Sequence, residues 1–518
     1  VSAKGGSAEL DRAIASGKGE DASAEKGIWR YAIAEKMTAI IDGEDYFAHV
    51  HTAMFNARKQ IVLIGWDFDT RISLMRGEEW ENGNAKRPSR LGDYLPWLVK
   101  EHKGLDIRIL KWGLSWVQFF KRGRMAYDIA RMWMVDGISF RFDSHHPPAC
   151  SHHQKIAVFD RELAVCGGID LTYDRWDTRE HLEDDPRRTN WPGNTHGPWH
   201  DITVMMEGPI AAALFDLCDT RWQLAGGDPL DRPEPPAASP WPEGLKTGFE
   251  DVEIGLSRTR AANGEVTEVC EVEELFLAHI ARAKRLIYIE NQYFTSRKIA
   301  EAIAARLVEP DPPEIVMVHP RNADGWLEQQ AMDHARDLIS TAVEETDGKD
   351  RFELYVPYTG ETPIYVHAKL MIVDDEILRI GSANLNNRSL GLDSECDTVL
   401  DATRPHNAGR GLEERIREIR ISLLAEHCGA DEAEMRAALE EHGTMQGAIA
   451  ALGFSGRRRL RPYVPPTKNE FQEWLAESGM LDPERPSGIL RPFAEGGLFG
   501  KGGRLRRLRD TAKRKLLK

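Results

Sequence analysis

The chain of 518 residues is 41% hydrophobic and 29% charged, with 68 Lys and Arg against 83 Asp and Glu and a formal net charge of −15. That balance excludes an intrinsically disordered chain and leaves room for roughly two to four domains with sizeable cores. It also argues against generic nucleic-acid binding, which uses cationic surface to displace counterions, unless a local basic cluster overrides the global sign.

Residues 1–28 lack an apolar signal core and read as a flexible lead-in. Structured text begins at Trp29, with an amphipathic helical stretch over 47–57 and then IVLIGWDFD (61–69), a buried strand. Further strands are expected at LDIRIL (105–110), ISFRFD (138–143), KIAVFD (155–160), LAVCGG (163–168) and ITVMMEG (202–208), with helical patterns at 118–134 and 210–225. This alternation predicts an α/β layer architecture around a largely buried sheet. The Pro-rich stretch DPLDRPEPPAASPWPEG (228–244) cannot hold regular structure, and it places a linker over 228–245 between lobes at 29–227 and 246–428.

A second series of elements follows the linker in a similar order. It runs through helix 271–284, strand RLIYIE (285–290), helix 297–307, strand EIVMVHP (314–320) and helix 325–345. Strands FELYVPY (352–358), AKLMIVD (368–374) and ILRIG (377–381) complete it. Internal duplication of a whole lobe is the reading. An extension over 429–518 begins helical, with helices at 411–427 and 431–452 at the junction, and closes on the basic segment LRRLRDTAKRKLLK (505–518).

The duplication is sharpest in a frame of His, Lys and Asp. His153, Lys155 and Asp160 recur as His367, Lys369 and Asp374, and seven residues past each Asp stands a glycine, Gly167 and Gly381. Residues i and i+2 of a strand face the same side, so the His and Lys of each frame point into one pocket. The runs IAVF and LMIV carry the strand on through a core. A turn at Asp160 or Asp374 then leads to a strand ending in glycine, where backbone can approach a ligand closely. Two lysines match the charge on the non-bridging oxygens of a phosphodiester. One neutral imidazole can attack phosphorus while a second protonates the leaving alkoxide; water, deprotonated in turn, then cleaves the phosphohistidine.

With these frames the chain resembles the phospholipase D superfamily, and its phosphatidylcholine-type branch more than the nuclease or kinase-like ones. The resemblance rests on IVLIGWDF (61–68), SHHQKIAVFD (151–160), GGIDL (167–171), PWHDI (198–202), IYIENQYF (287–294), VHAKLMIVDD (366–375) and GSANLNNRS (381–389). It implies two tandem α-β-α sandwich lobes related by a pseudo-twofold axis, with one active site between them and a helical C-terminal extension. It implies His153 as nucleophile, His367 as acid and base, and Lys155, Lys369 and Asn384 as holders of phosphoryl oxygens. Glu395 would orient His153, and Asp184 or Asp185 would serve on the other side. Asp160, Asp374 and Ser382 take supporting roles. Where the second copy has Asn384 the first has Asp170, so the halves are not equivalent.

Other features carry less. His145, His146, Cys150, His152 and His153 form a cluster interrupted by Pro147-Pro148 that fits no standard zinc spacing, and the expectation is chemistry without metal or other cofactor. The six cysteines, Cys150, Cys166, Cys218, Cys270, Cys396 and Cys428, contain no C-x-x-C pair and mildly favour a reducing compartment. Trp66, Trp176, Trp191, Tyr293 and Tyr358, with Trp112 and Tyr173, are candidates for a cage around a choline ammonium, against the plainer reading of core aromatics. The basic C-terminal segment reads equally as a solvated tail or as a contact with anionic membrane.

The expectation is a monomeric phospholipase D, without nucleic-acid partner, that acts at a phospholipid membrane surface and releases phosphatidic acid and a head-group alcohol. When an alcohol replaces water it would perform transphosphatidylation. No apolar run approaches the about 18 residues of a membrane span, so a cytoplasmic, peripherally membrane-associated location is expected. The rivals are a cardiolipin-synthase-like phosphatidyltransferase, a nuclease of the same superfamily and a silent lipid-binding scaffold.

Overall fold

Apolar residues at alternate positions build a sheet that is buried on both faces. In Gln60–Gly65, Ile61 and Leu63 enter one core while Val62 and Ile64 enter another, the period of two expected of a strand. The computed structural model describes residues 25–113, 123–148, 150–190, 193–322, 336–337, 339–341, 343–454 and 456–464. Trp191, most of the N-terminal lead-in and the basic C-terminal segment lie outside the described residues.

The first half contributes β1 (Arg30–Ile41), β2 (Gln60–Gly65), β3 (Asp106–Trp112), β4 (Ile138–Asp143), β5 (Ile156–Phe159), β6 (Leu163–Gly167) and β7 (Ile202–Glu207). The second contributes β8 (Phe249–Arg260), β9 (Leu286–Asn291), β10 (Glu314–Val318), β11 (Phe352–Thr359), β12 (Lys369–Val373), β13 (Ile377–Gly381) and β14 (Glu395–Asp401). Hydrogen bonding orders the first set β4-β3-β2-β5-β6-β7-β1. The second set runs β8-β14-β13-β12-β9-β10-β11. Each strand of the first half therefore has its counterpart seven strands later, in mirrored order. The halves meet where β1 pairs antiparallel with β8, from Arg30 opposite Leu256 to Met37 opposite Phe249. The result is one continuous mixed sheet across both halves.

Helices cover both faces. One core, shared by the two halves, packs Pro209–Leu224 and Leu412–Cys428 on a common face. Two separate cores lie on the opposite face. One holds Gly43–Asn56, Leu91–Glu101 and Arg124–Trp133, and the other holds Glu271–Arg282 and Arg297–Leu307. Full burial of each branched side chain in these cores contributes roughly 1.5–3 kcal/mol. The helix expected over 431–452 is two, Glu432–His442 and Met445–Leu452. Gly443 at φ 69 closes the first, and the Thr444 side chain accepts from the Gly447 N–H to open the second. No helix among the described residues is long and apolar enough to cross a membrane.

The aspartates that end the two frames fix the central strands. Asp160 and Asp374 both adopt positive φ, 52 and 56, as do the residues after them, Arg161 and Asp375. Asp160 accepts the N–H groups of Arg58, Lys59 and Gln60 at 2.6–2.8 Å, where β2 begins. Asp374 accepts those of Lys284, Arg285 and Leu286 at 2.7–2.9 Å, where β9 begins. Each carboxylate satisfies backbone donors that its sheet would otherwise leave unpaired. Replacement of Asp374 by Ala should therefore lower unfolding free energy by about 2–4 kcal/mol in urea titrations, with Asn, which keeps one acceptor, losing less.

Candidate active site

Each frame enters the site alongside the opposite half. The His153 N–H donates to the Ser394 carbonyl at 2.9 Å, and the His367 N–H donates to the His200 carbonyl at 2.8 Å. Tyr365–Val366 accordingly runs parallel to Trp199–His200, and His152 bridges to Ser394. The charges of Lys155 and Lys369 both act on both frame imidazoles, so the two frames share one site.

The same crossing supplies each histidine with a carboxylate. His153 Nδ1 lies 3.0 and 3.1 Å from the Glu395 carboxylate oxygens and 3.1 Å from the Ser382 carbonyl. Ser382 and Ser389 donate their hydroxyls to Glu395 at 2.5 and 2.7 Å. His367 Nδ1 lies 2.7 Å from Asp201 Oδ2, while Asp201 Oδ1 accepts the Ile202 N–H at 2.8 Å. Asp201 and Glu395 are equivalent positions, because Thr203 faces Gly167 as Asp397 faces Gly381. Asp185, expected beside the second histidine, instead forms an ion pair with Arg187 at 2.7 Å and accepts its backbone N–H. The guanidinium two residues away claims that carboxylate, and Asp201 takes the place assigned to it. The text PWHDI contained this residue. Its spacing hid it, since the first half inserts a long loop between Leu171 and Trp199 where the second half has a short one.

With Nδ1 of both rings committed, Nε2 is the nitrogen left to react. Burial, reinforced by the lysines, holds both imidazoles well below the usual histidine range and therefore neutral. Burial likewise pushes Glu395 up to about 8 and Asp201 up to about 7. His153 retains 15% of its side-chain exposure and His367 5%, so the first ring is the more open.

The lysines are not equivalent. Lys155 Nζ donates to the His153 carbonyl at 2.9 Å and pairs with Asp170 Oδ2 at 3.1 Å. Asp170 Oδ1 accepts the N–H groups of Trp66 and Asp67 at 3.0 and 3.2 Å, so this acid is paired where its counterpart Asn384 is neutral. Lys369 Nζ donates to the His367 carbonyl and, at 3.1 Å, to Gln292 Oε1. Burial lowers Lys369 to about 7, with the Asp201 charge opposing the shift. Asn384 Nδ2 approaches the same Gln292 oxygen at 3.5 Å, and its Oδ1 is buried without a partner. Gln292, from ENQYF, joins the site although the sequence reading passed over it.

The glycines after the frames admit side chains of the neighbouring strand and not a ligand. A Cβ on Gly167 would sit 2.3 Å from Thr203 Oγ1, one on its neighbour Gly168 2.0 Å from Asp201 Oδ1, and one on Gly381 2.0 Å from Asp397 Oδ1. The proposed aromatic cage is only partly assembled. Trp66 lies 6.3 Å from the His153 ring and stacks on Trp112. Tyr293 bonds to Gln292. Trp176 is buried beneath the guanidiniums of Arg76 and Arg187 at 4.5 and 5.2 Å, beside a cavity of about 360 Å³. Tyr358 stands in β11 under Arg461 at 4.3 Å. Arginines already occupy the cation faces of these two rings. Trp199, not foreseen, stacks on Tyr365 and lies 5.1 Å from the His367 ring. The histidines around Cys150 do not converge: His152 is held by Ser394 and Asp143, and His146 accepts from Trp112 Nε1.

A family model described as Phospholipase D matches residues 53–234 and 329–449. Phospholipase D alpha 1 of Zea mays is 25% identical over 535 aligned positions, covering 75% of this chain and 65% of its own length. Phospholipase D alpha 1 of Ricinus communis is 26% identical over 521, covering 73% and 63%. The chain thus spans just under two thirds of the length of these relatives. The phosphatidylserine synthase of Haemophilus influenzae shares the fold, with a TM-score of 0.52 at 10% identity over 82% of this chain and 96% of its own.

The raised Glu395 value carries a stability consequence. The unfolded chain ionises this group near 4.5, whereas the folded protein keeps its proton to about 8. The folded state then binds more protons across that window, so stability falls as pH rises through it. Glu395→Gln should melt higher than the unsubstituted protein, by a margin that widens from about pH 4.5 and levels off above about 8, while turnover is lost. Thermal scans across pH measure the margin.

Proposed function

The chain belongs to the phospholipase D family, and from that membership we propose that it cleaves the distal phosphodiester of glycerophospholipids such as phosphatidylcholine, releasing phosphatidic acid and an alcohol. The observation that carries this reading is the pair of neutral imidazoles, each anchored at Nδ1 by a carboxylate of the opposite half and flanked by two buried lysines.

The phosphodiester would lie between Lys155 and Lys369, with the Asn384 amide completing the cradle. Its negative charge offsets the lysines and so raises the basicity of the nearby ring, favouring the imidazolium at His367 once substrate is bound. His153 Nε2 then attacks phosphorus and an N–P bond forms. The P–O bond to the head group breaks, and His367 Nε2 gives its proton to the departing alkoxide. Glu395 keeps His153 Nδ1 anchored, and so Nε2 aimed at phosphorus, as positive charge develops on that ring. In the second half of the cycle His367 takes a proton from water, whose oxygen displaces His153 from phosphorus. A small alcohol in place of water would yield a transphosphatidylated lipid. The lysines and asparagine supply all the phosphate-facing polarity this scheme requires.

Mixed phospholipid vesicles with ethanol and EDTA test the proposal. Phosphatidylethanol and phosphatidic acid should both form, and His153→Ala or His367→Ala should each lower the rate by a factor on the order of 10³ or more. Full activity in either variant, or release of nucleotides from DNA with no lipid product, would overturn it.

A further inference from the structure

Behind strand Trp199–His200 four buried side chains from distant parts of the chain turn one donor atom each toward a common point. They are Asp42 at the end of β1, His181 in the loop after β6, His200 and Glu426 on helix Leu412–Cys428, and none is more than 4% exposed. Their donor atoms all lie within 4.8 Å of one another. His181 Nε2 is 3.0 Å from Glu426 Oε1 and 3.4 Å from Asp42 Oδ2; His200 Nδ1 is 2.9 Å from Glu426 Oε1 and 3.0 Å from Asp42 Oδ1. Four ligands at the about 2.0–2.2 Å bond lengths of zinc in a tetrahedron stand about 3.3–3.5 Å apart. The four nitrogen-to-oxygen separations, 2.9–3.4 Å, fall at or a few tenths of an ångström below this, and the remaining pairs lie within 4.8 Å.

Hydrogen bonding accounts for only part of the convergence: His181 Nε2 bonds to Glu426 Oε1 at 3.0 Å, and the contacts of His200 are left over. Both oxygens near His200 Nδ1 lie off its N–H direction, so this fully buried nitrogen has no hydrogen bond, and neither does Asp42 Oδ2. A lone pair directed between two oxygens is the arrangement of a metal ligand.

The surrounding shell is also that of a metal site. His181 Nδ1 is held by Asp177 Oδ2 at 3.0 Å, and His200 Nε2 by Glu290 Oε2 at 2.9 Å. Glu426 Oε2 is bonded by Arg179 at 2.5 Å. Glu290 is fixed in turn by His427 at 2.9 Å and the Tyr288 hydroxyl at 2.5 Å. A carboxylate on the far nitrogen of a ligating histidine sets its tautomer and strengthens it as a donor. Charge agrees: the four carboxylates of Asp42, Asp177, Glu290 and Glu426 face the two guanidiniums of Arg179 and Arg188, leaving two negative charges for a divalent cation. The rival is a pair of imidazolium ions: against the opposing effect of burial, the carboxylates raise His181 to about 9 and His200 well above the usual histidine range, but a His200 Nδ1 hydrogen would be poorly aligned with both nearby oxygens.

We propose that Asp42, His181, His200 and Glu426 bind one zinc ion as a closed, four-ligand structural site. Two imidazole nitrogens and two carboxylate oxygens suit this metal, and no position is left open for substrate. The ion braces the reaction centre and takes no part in the chemistry. Asp42 Oδ1 accepts the Asp201 N–H at 3.1 Å, and the Asp42 N–H donates to the Asp201 carbonyl at 2.8 Å. The carboxylate holding His367 is thereby tied to the metal cluster on both sides. Glu426 links the same cluster to the helix that closes the second half.

Untagged full-length protein expressed with zinc and dialysed against EDTA is the material for the test, and its readouts are independent of turnover. Metal analysis should find stoichiometric zinc, retained because the site is buried. Exchange for cobalt(II) should give the intense visible bands of a tetrahedral N₂O₂ site. Removal with 1,10-phenanthroline under partial unfolding should lower Tm, with zinc restoring it. His181→Gln and Glu426→Gln should lose the metal, while His51→Gln, a buried histidine elsewhere, keeps it. A folded protein without zinc whose Tm responds to neither zinc nor chelator would overturn the proposal. So would thiolate-to-cobalt absorption, which would move the metal to the cysteines, or zinc retained by a folded His181→Gln or Glu426→Gln. Should both variants fail to fold, the cobalt spectrum and the Tm response of the unsubstituted protein decide.

Discussion

A neutral imidazole buried beside two ammonium groups needs an anchor for its Nδ1 hydrogen, and here each anchor comes from across the molecule. Glu395 of the second half holds His153 of the first, and Asp201 of the first holds His367 of the second. The ring orientations, and with them the direction of each Nε2, depend on the two halves being correctly docked. Much of the remaining architecture serves that docking. The β1–β8 pairing makes one sheet of two, and the core shared by helices Pro209–Leu224 and Leu412–Cys428 spans the junction. The parallel run of Trp199–His200 beside Tyr365–Val366 brings the second histidine up to its carboxylate.

Within this near-symmetric frame the two halves are electrostatically different. The first lysine shares its charge with Asp170, and the second stands beside the neutral amide of Gln292, with Asn384 close by. A carboxylate next to one ammonium offsets its charge, and burial draws the other lysine down to about 7, so an entering anion, by restoring the Lys369 charge, is held differently on the two sides. The first histidine is also the more exposed. An anion held between two unlike sides, with the more open ring on one of them, suits an in-line displacement, in which entering and leaving groups occupy opposite faces of phosphorus.

The inner strands and the two frames were legible because their signals are local. Apolar runs such as IVLI and LMIV mark buried strands, and the fixed offset from His to Lys survives in any strand. The seam strands β1 and β8 were not foreseen. RYAIAEKMTAII is rich in Ala with interspersed Lys and Glu, and FEDVEIGLSRTR carries charge along its length, so neither shows the apolar run of an inner strand. Pairing across the junction, a long-range contact, overrides their weak local preference. Glu395 was readable from its place beyond the second frame. Asp201 was not, because the loop before it differs in length from its counterpart and only the strand register aligns the two. The carboxylates and histidines behind Trp199–His200 escaped for the same reason: folding, and not spacing, collects them.

The antiparallel meeting of β1 and β8 also bears on how such a chain can arise. Two equivalent edges pairing about a twofold axis form an isologous contact, the kind by which identical subunits make a homodimer. A lone ancestral half would have needed a second copy both to cover its open edge and to complete its histidine, and every substitution would have appeared on both sides at once. Covalent fusion keeps the geometry and lifts that restriction. An aspartate can then replace an asparagine on one side of the axis, and a loop can lengthen on that side alone, without cost to the other.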